Sequence, residues 1–288
     1  MDKHPPDILV SLFRGCRLAL HLLHGMLLAV FYPHLNQARQ RRTLKTWSRQ
    51  LLDILNIGIQ TEGQQPMRGE SGYLIVANHV SWLDIFVLNA IHPSRFIAKS
   101  EVRNWPLIGW LCKRSGAVFI ERAIRRDAAL ISQRVSHLLK QGVCVGLFPE
   151  GTTTNGKQVG HFHSALIQPA VDAGARLCPI ALRYLDDHGE PSSAIAFTGD
   201  TTLVQSIWRI LQCRHHTALA VFTSVLDASN ENRRALARAA QEAIAQGLQN
   251  ITPKKQEQET IFAHPQTRLS AQSGYVLLLD PALNKLPK

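Results

Sequence analysis

The sequence has no Cys-x-x-Cys pair, and its five cysteines (Cys16, Cys112, Cys144, Cys178, Cys213) are odd in number and widely separated. That spacing argues against a disulfide framework or a cysteine zinc site and leaves reduced thiols as the expectation. This favours a cytoplasmic face for the main domain. No Gly-x-Ser-x-Gly turn is present, which weakens a serine-hydrolase reading. Gly151–Lys157 has the spacing of a phosphate-binding loop, but Gln158 stands where the magnesium-holding Ser or Thr should be, and Gly160 follows where a helix should begin. His161 and His163 offer two metal ligands without an obvious third, so a packing or loop role is expected. Low complexity and fixed-period repeats are also absent.

What is present is hydrophobic mass and positive charge. The 288 residues are 45% hydrophobic and carry a net charge of +11. One large domain is the natural expectation for that length. A basic balance favours anionic partners such as a lipid surface or a phosphorylated substrate. No nucleic-acid signature accompanies the basic residues, so nucleic acid is not an expected partner. One basic cluster stands out: Arg39, Arg41, Arg42, Lys45 and Arg49.

Residues 8–32 are mostly apolar but include Arg14, Arg17, His21 and His24. The uninterrupted part, Leu18–Tyr32, falls short of the roughly 20 residues a spanning helix needs. No small-residue cleavage site follows it. An in-plane or re-entrant membrane helix is the favoured reading, with a single span or a buried helix as alternatives. A second helix is expected near 44–59. Residues 1–60 are thus expected to form membrane-associating helices, 61–252 the main domain, and 253–288 a tail of no assigned role.

From Gly72 onward, short apolar runs alternate with helical stretches. Strands are expected at Gly72–Ala77, Arg95–Ala98, Ala117–Ile120, Val143–Phe148, Leu177–Tyr184, Ala194–Thr198 and Ala218–Leu226. Helices are expected at Trp82–Ile91, 105–114, Asp127–Lys140, Ser164–Ala173 and 201–212, with a last one through Leu236, Ala240, Ile244 and Leu248. The pattern predicts an α/β fold, a central, mostly parallel mixed sheet flanked by helices.

Ligands in such sheets bind at the carboxyl ends of strands, which is where the polar motifs fall. Asn78 and His79 follow the first of these strands, and Asp84 lies five residues beyond His79. A histidine there can serve as general base, and the carboxylate can fix its tautomer. Ser81-x-x-Asp84 equally fits a helix capping box, which would explain Asp84 without chemistry. Phe148-Pro149-Glu150-Gly151-Thr152 follows another strand. Its carboxylate could bind a substrate hydroxyl, or the segment could be a plain turn with Glu150 exposed. Arg122, ending the stretch from Gly116, suits a phosphate, as does Lys99 less strongly; a surface pair with Glu121 is the alternative for Arg122.

Together these segments resemble the four blocks of the glycerolipid acyltransferase family, in order: His79–Asp84 as H-x4-D, Gly116–Arg122, Phe148–Thr152 as F-P-E-G-T, and Leu177–Ile180 with Pro179 as its proline. The resemblance implies acyl transfer from a thioester donor, acyl-CoA or acyl carrier protein, to the sn-2 hydroxyl of 1-acylglycerol-3-phosphate. The product would be phosphatidic acid. It implies His79 as base and Asp84 as its orienting partner, and Arg122, with Lys99, as phosphate ligands. Glu150 and Gly151 would shape the acceptor site, with Gly116, Thr152 and Pro179 completing the substrate-binding set. Neither metal nor cofactor is needed. The implied location is the inner membrane with the site on its cytoplasmic face. Two alternatives remain: another lysolipid acceptor such as lyso-ornithine lipid, or a non-catalytic lipid-binding protein.

Overall fold

Tyr73–Ala77 (β2) is buried at every position, so it must lie inside a sheet covered on both faces. A computed structural model of the chain describes residues 8–66, 72–105, 107–120, 125–229 and 231–251, with the side chains of Lys99 and of 125–128 left aside. Among these residues β2 pairs in parallel with Val145–Leu147 (β5) on one side and with Arg176–Leu185 (β6) on the other. Arg95–Lys99 (β3) and Val118–Ile120 (β4) extend the sheet in parallel beyond β5. On the far side, His216–Phe222 (β7) runs antiparallel to β6, and Ile57–Glu62 (β1) closes the edge parallel to β7. A short strand, Leu226–Asp227 (β8), also pairs antiparallel with β6, giving the order β1-β7-β6-β2-β5-β3-β4. The expected mostly parallel mixed sheet is what forms.

Alternate strand residues feed two apolar layers. Tyr73, Ile75 and Ala77 join a cluster with Ile8–Phe31 (α1), Gln37–Ile54 (α2), Asp84–Ile91 (α3) and Leu203–Leu211 (α7) through residues such as Leu18, Leu51, Leu88 and Ile210. Leu74 and Val76 join the opposite cluster with Arg125–Lys140 (α5), Gln168–Ala173 (α6) and Arg233–Gln249 (α8). The remaining helix, Ile108–Arg114 (α4), leads into β4.

α1 lies against this body along most of its length. Its buried stripe is Ser11, Leu18, His21, Gly25 and Ala29, while Leu12, Phe13, Leu20, Leu23, Leu27 and Phe31 on the other faces are exposed. The Ser11 hydroxyl and Arg14 guanidinium donate to the Leu211 and Cys213 carbonyls after α7. His21 stacks on Trp47 of α2 with ring centroids 4.6 Å apart, and a Cβ on Gly25 would lie 2.7 Å from that indole nitrogen. Arg114 of α4 donates to the Val30 carbonyl at the far end. Ile8–His34 is long and apolar enough to cross a membrane by length and composition.

Several local expectations are corrected. The second helix covers 37–54 rather than 44–59. Asn36 caps its start by accepting from the Arg39 amide, and Asn56 at φ 57 ends it. Gly58 therefore lies in β1 rather than in that helix. The whole basic cluster, Arg39 to Arg49, therefore sits on α2. Arg41 donates to the Gly142 carbonyl, and Lys45 and Arg49 donate to the Ile91 and Ala90 carbonyls at the end of α3, a favourable place for cations. Residues 194–198 form no strand; the segment is held as a loop by the Phe197 amide donating to the Val80 carbonyl. The expected strand 218–226 is two strands, interrupted where the Thr223 amide and hydroxyl both turn onto the Pro179 carbonyl. Ser164–Ala173 divides into a short 3-10 turn and α6, with Pro169 in the first turn of α6. The tail 253–288 lies outside the described residues.

Candidate active site

The carboxyl end of β2 is where the polar motifs meet. Ladder pairing of β2 to β6 ends at Ala77 and Ile180. The Asn78 side chain then imitates one more rung: its oxygen accepts from the Leu182 amide at 2.7 Å and its nitrogen donates to the Leu182 carbonyl at 2.9 Å. That clamp fixes the backbone from which His79 projects. The His79 carbonyl accepts from the Thr154 amide at 2.7 Å, which ties the loop after β5 to the same point.

His79 Nδ1 lies 2.8 Å from Asp84 Oδ2. A carboxylate only accepts, so Nδ1 carries the hydrogen in this arrangement and Nε2 is left with a lone pair. The Asp84 side chain is fully buried, whereas that of His79 is 18% exposed. The same Asp84 oxygen accepts from the Val80 and Ser81 amides at 2.7 and 3.0 Å. The other oxygen accepts from the Tyr184 hydroxyl at 2.7 Å. The His79 ring lies flat on Phe148, centroids 3.9 Å apart. The capping box forms only on its Asp84 side. The Ser81 hydroxyl accepts from the Leu83 amide, and the Asp84 amide goes to the Ser81 carbonyl.

Glu150 is not the exposed turn residue that one reading allowed. It is only 6% exposed, and neither carboxyl oxygen makes a well-formed hydrogen bond. Burial pushes its pKa up to about 7; the Asp84 charge adds to the rise, and the Gly160 and His79 backbone amides oppose it. Gly151 turns the chain here at φ 75, and a Cβ on Gly160 would come 3.4 Å from Glu150 Cγ.

The other candidates separate. Lys99 ends β3, paired with Ile120, on the same sheet edge. Arg122 lies outside the described residues. Gly116, at φ 83, precedes β4 and so stands at the opposite edge of the sheet from His79, beside the Arg95 side chain. Thr152 is exposed on the loop. Pro179 is buried within the sheet opposite Val76, three residues short of His79's level. His161 and His163 pack edge to face, and no cluster of three or more metal-ligating side chains occurs among the described residues. Asn78 and Phe148 lie in the motifs the sequence shows but were given no role of their own, and Tyr184 was not singled out. Tyr184 lies 100 residues from its partner, and no local pattern marks such a pair.

The Acyltransferase family profile matches residues 58–183, which contain His79, Asp84, Phe148 and Glu150 and stop one residue short of Tyr184. Among curated relatives, the 1-acyl-sn-glycerol-3-phosphate acyltransferase of Neisseria meningitidis is 37% identical over 246 residues, covering 85% of this chain and 95% of that protein. The chain belongs to the acyltransferase family. The acyltransferase is also 38% identical to the lyso-ornithine lipid O-acyltransferase of Pseudomonas aeruginosa, over 73% of this chain and 79% of that one. Its fold matches the crystal structure of the 1-acyl-sn-glycerophosphate acyltransferase of Thermotoga maritima, with a TM-score of 0.56 at 21% identity, covering 82% of this chain and 96% of that one. The non-catalytic alternative is thereby set aside.

Proposed function

We propose that this acyltransferase moves a fatty acyl chain from a thioester donor to the sn-2 hydroxyl of 1-acylglycerol-3-phosphate, forming phosphatidic acid. The observation that carries the chemistry is the His79–Asp84 pair at the carboxyl edge of β2. His79 Nε2 takes the proton from the acceptor hydroxyl as its oxygen attacks the thioester carbonyl. The tetrahedral intermediate then collapses, the C–S bond breaks, and the proton passes to the departing thiolate. Asp84 holds the imidazole in the required tautomer and stabilises the imidazolium between the two steps. Among the described residues no serine or cysteine side chain hydrogen-bonds His79, in keeping with direct attack and no acyl-enzyme. Glu150 and Gly151 border the acceptor, and Arg122, with Lys99, binds its phosphate. Both substrates suit a site at the cytoplasmic face of the inner membrane, with the exposed apolar faces of α1 in the bilayer surface.

A second reading, a lyso-ornithine lipid acceptor, draws on the Pseudomonas relative. Purified protein presented with a panel of lysolipids and with both acyl-CoA and acyl-carrier-protein donors, read by mass spectrometry, separates the two. Our reading expects phosphatidic acid as the main product and a raised KM for the phosphate acceptor in Arg122→Ala. Turnover confined to lyso-ornithine lipid and indifferent to Arg122 would favour the second.

A further inference from the structure

We infer that Tyr184 is a positioning residue of the catalytic pair: its hydroxyl holds the far oxygen of Asp84, so that Asp84 meets His79 in one fixed orientation. The inference rests on the reading of His79 as base and deepens it.

Asp84 has two oxygens and four donors. One oxygen serves His79, the Val80 amide and the Ser81 amide. Those three lie on one side, and by themselves they leave the carboxylate free to pivot about that oxygen. Tyr184 fixes the second oxygen at 2.7 Å from a different strand. The strand itself is anchored at the same level, because Asn78 clamps the Leu182 backbone two residues earlier. The tyrosine is buried, as is Asp84, so water has little means of substituting for the phenol. Burial first, and then the Asp84 charge and hydrogen bond, hold the phenol protonated well above its ordinary range, so it remains a donor at every working pH. A network of this kind polarises along its length. The phenol draws charge from the carboxylate, and the carboxylate then holds the proton of His79 less tightly. Among the described residues Glu150 also interacts with this group, its ionisation opposed by the Asp84 charge.

Tyr184→Phe removes one oxygen and no other contact. We expect kcat to fall about tenfold, from the loss of one hydrogen bond to a charged group, with both KM values little changed. The acid limb of the pH–rate profile should move to higher pH by about half a unit to one unit, because Asp84, relieved of one donor, attracts the imidazole proton more strongly. Replacing Tyr184 with 3-fluorotyrosine keeps the shape and strengthens the donor, so the same limb should move to lower pH. Adding Tyr184→Phe to Asp84→Asn should cost little further rate. A Tyr184→Phe protein that melts earlier but keeps the wild-type rate and limb would overturn the inference, as would rate losses that multiply in the double variant. If Tyr184→Phe does not fold, the fluorotyrosine protein decides, and an unmoved limb refutes the role. Full activity of His79→Ala would instead refute the base reading beneath it.

Discussion

The imidazole of His79 and the ring of Phe148 lie parallel within 5°, with centroids 3.9 Å apart. Phe148 covers one face of the histidine, and Asp84 takes one edge, so a single nitrogen is left to meet a substrate. Phe148→Leu keeps most of the buried volume but removes the stack, which is worth about 0.5–1.5 kcal/mol. The expected result is a kcat lowered by roughly three- to tenfold with KM for either substrate near wild type. A change confined to KM would assign Phe148 to binding instead.

Asp84→Asn separates the two roles that the sequence left open. The amide can still accept from the Val80 and Ser81 amides, so the fold should survive with a loss of about 1–3 kcal/mol. The same amide oxygen can still accept from His79 Nδ1 but carries no charge to stabilise the imidazolium, and single-turnover rates should fall by at least about 100-fold. Lowered melting with a preserved rate would return Asp84 to a purely capping role.

Glu150 gives a pH signature. Its folded-state pKa of about 7 lies above its ordinary value of 4.5, so the folded protein holds more protons than the unfolded chain between those values. Stability from this group is therefore full below pH 4.5 and is lost as pH rises toward 7. Glu150→Gln removes that dependence. Relative to wild type it should gain stability between pH 5 and 8, by at most about 3 kcal/mol, and little at lower pH. Thermal melts across this range check it; a variant that loses ground as pH rises has the wrong sign.

The central parallel strands and the two motif-bearing turns were legible because buried parallel strands form continuous apolar runs that end where polar residues begin. β2 and the Phe148–Thr152 turn are examples. β1 was not legible: Ile57, Gly58 and Ile59 continue the apolar spacing of α2, and only the left-handed Asn56 and the pairing to β7 make them a strand. Ala194–Thr198 has strand-like composition, yet its backbone amides are claimed by the Val80 carbonyl and the Ser192 hydroxyl rather than by a neighbouring strand. The His79–Asp84 pair could be read because only four residues separate its members, while Tyr184 and the Asn78 clamp join the site from across the sheet.

The exposed apolar faces of α1 should carry membrane association separately from folding. Leu20→Gln, Leu23→Gln and Leu27→Gln together alter only exposed positions. The triple variant should melt like wild type, sediment less with anionic vesicles, and lose activity on vesicle-borne acceptor more than on a soluble short-chain one. Removing residues 1–60 is a different experiment, because Leu51, Leu52, Leu55 and Ile57 belong to the core and the truncated chain should not fold. Unchanged vesicle binding by the triple variant would place the membrane contact elsewhere.

The most direct test is the single-turnover rate of His79→Ala on 1-acylglycerol-3-phosphate with a saturating thioester donor, beside a melting curve and a vesicle-binding assay. Loss of the base predicts a rate at least about 100-fold below wild type, with fold and membrane binding retained. A well-folded variant that acylates at close to the wild-type rate would contradict general-base attack from His79.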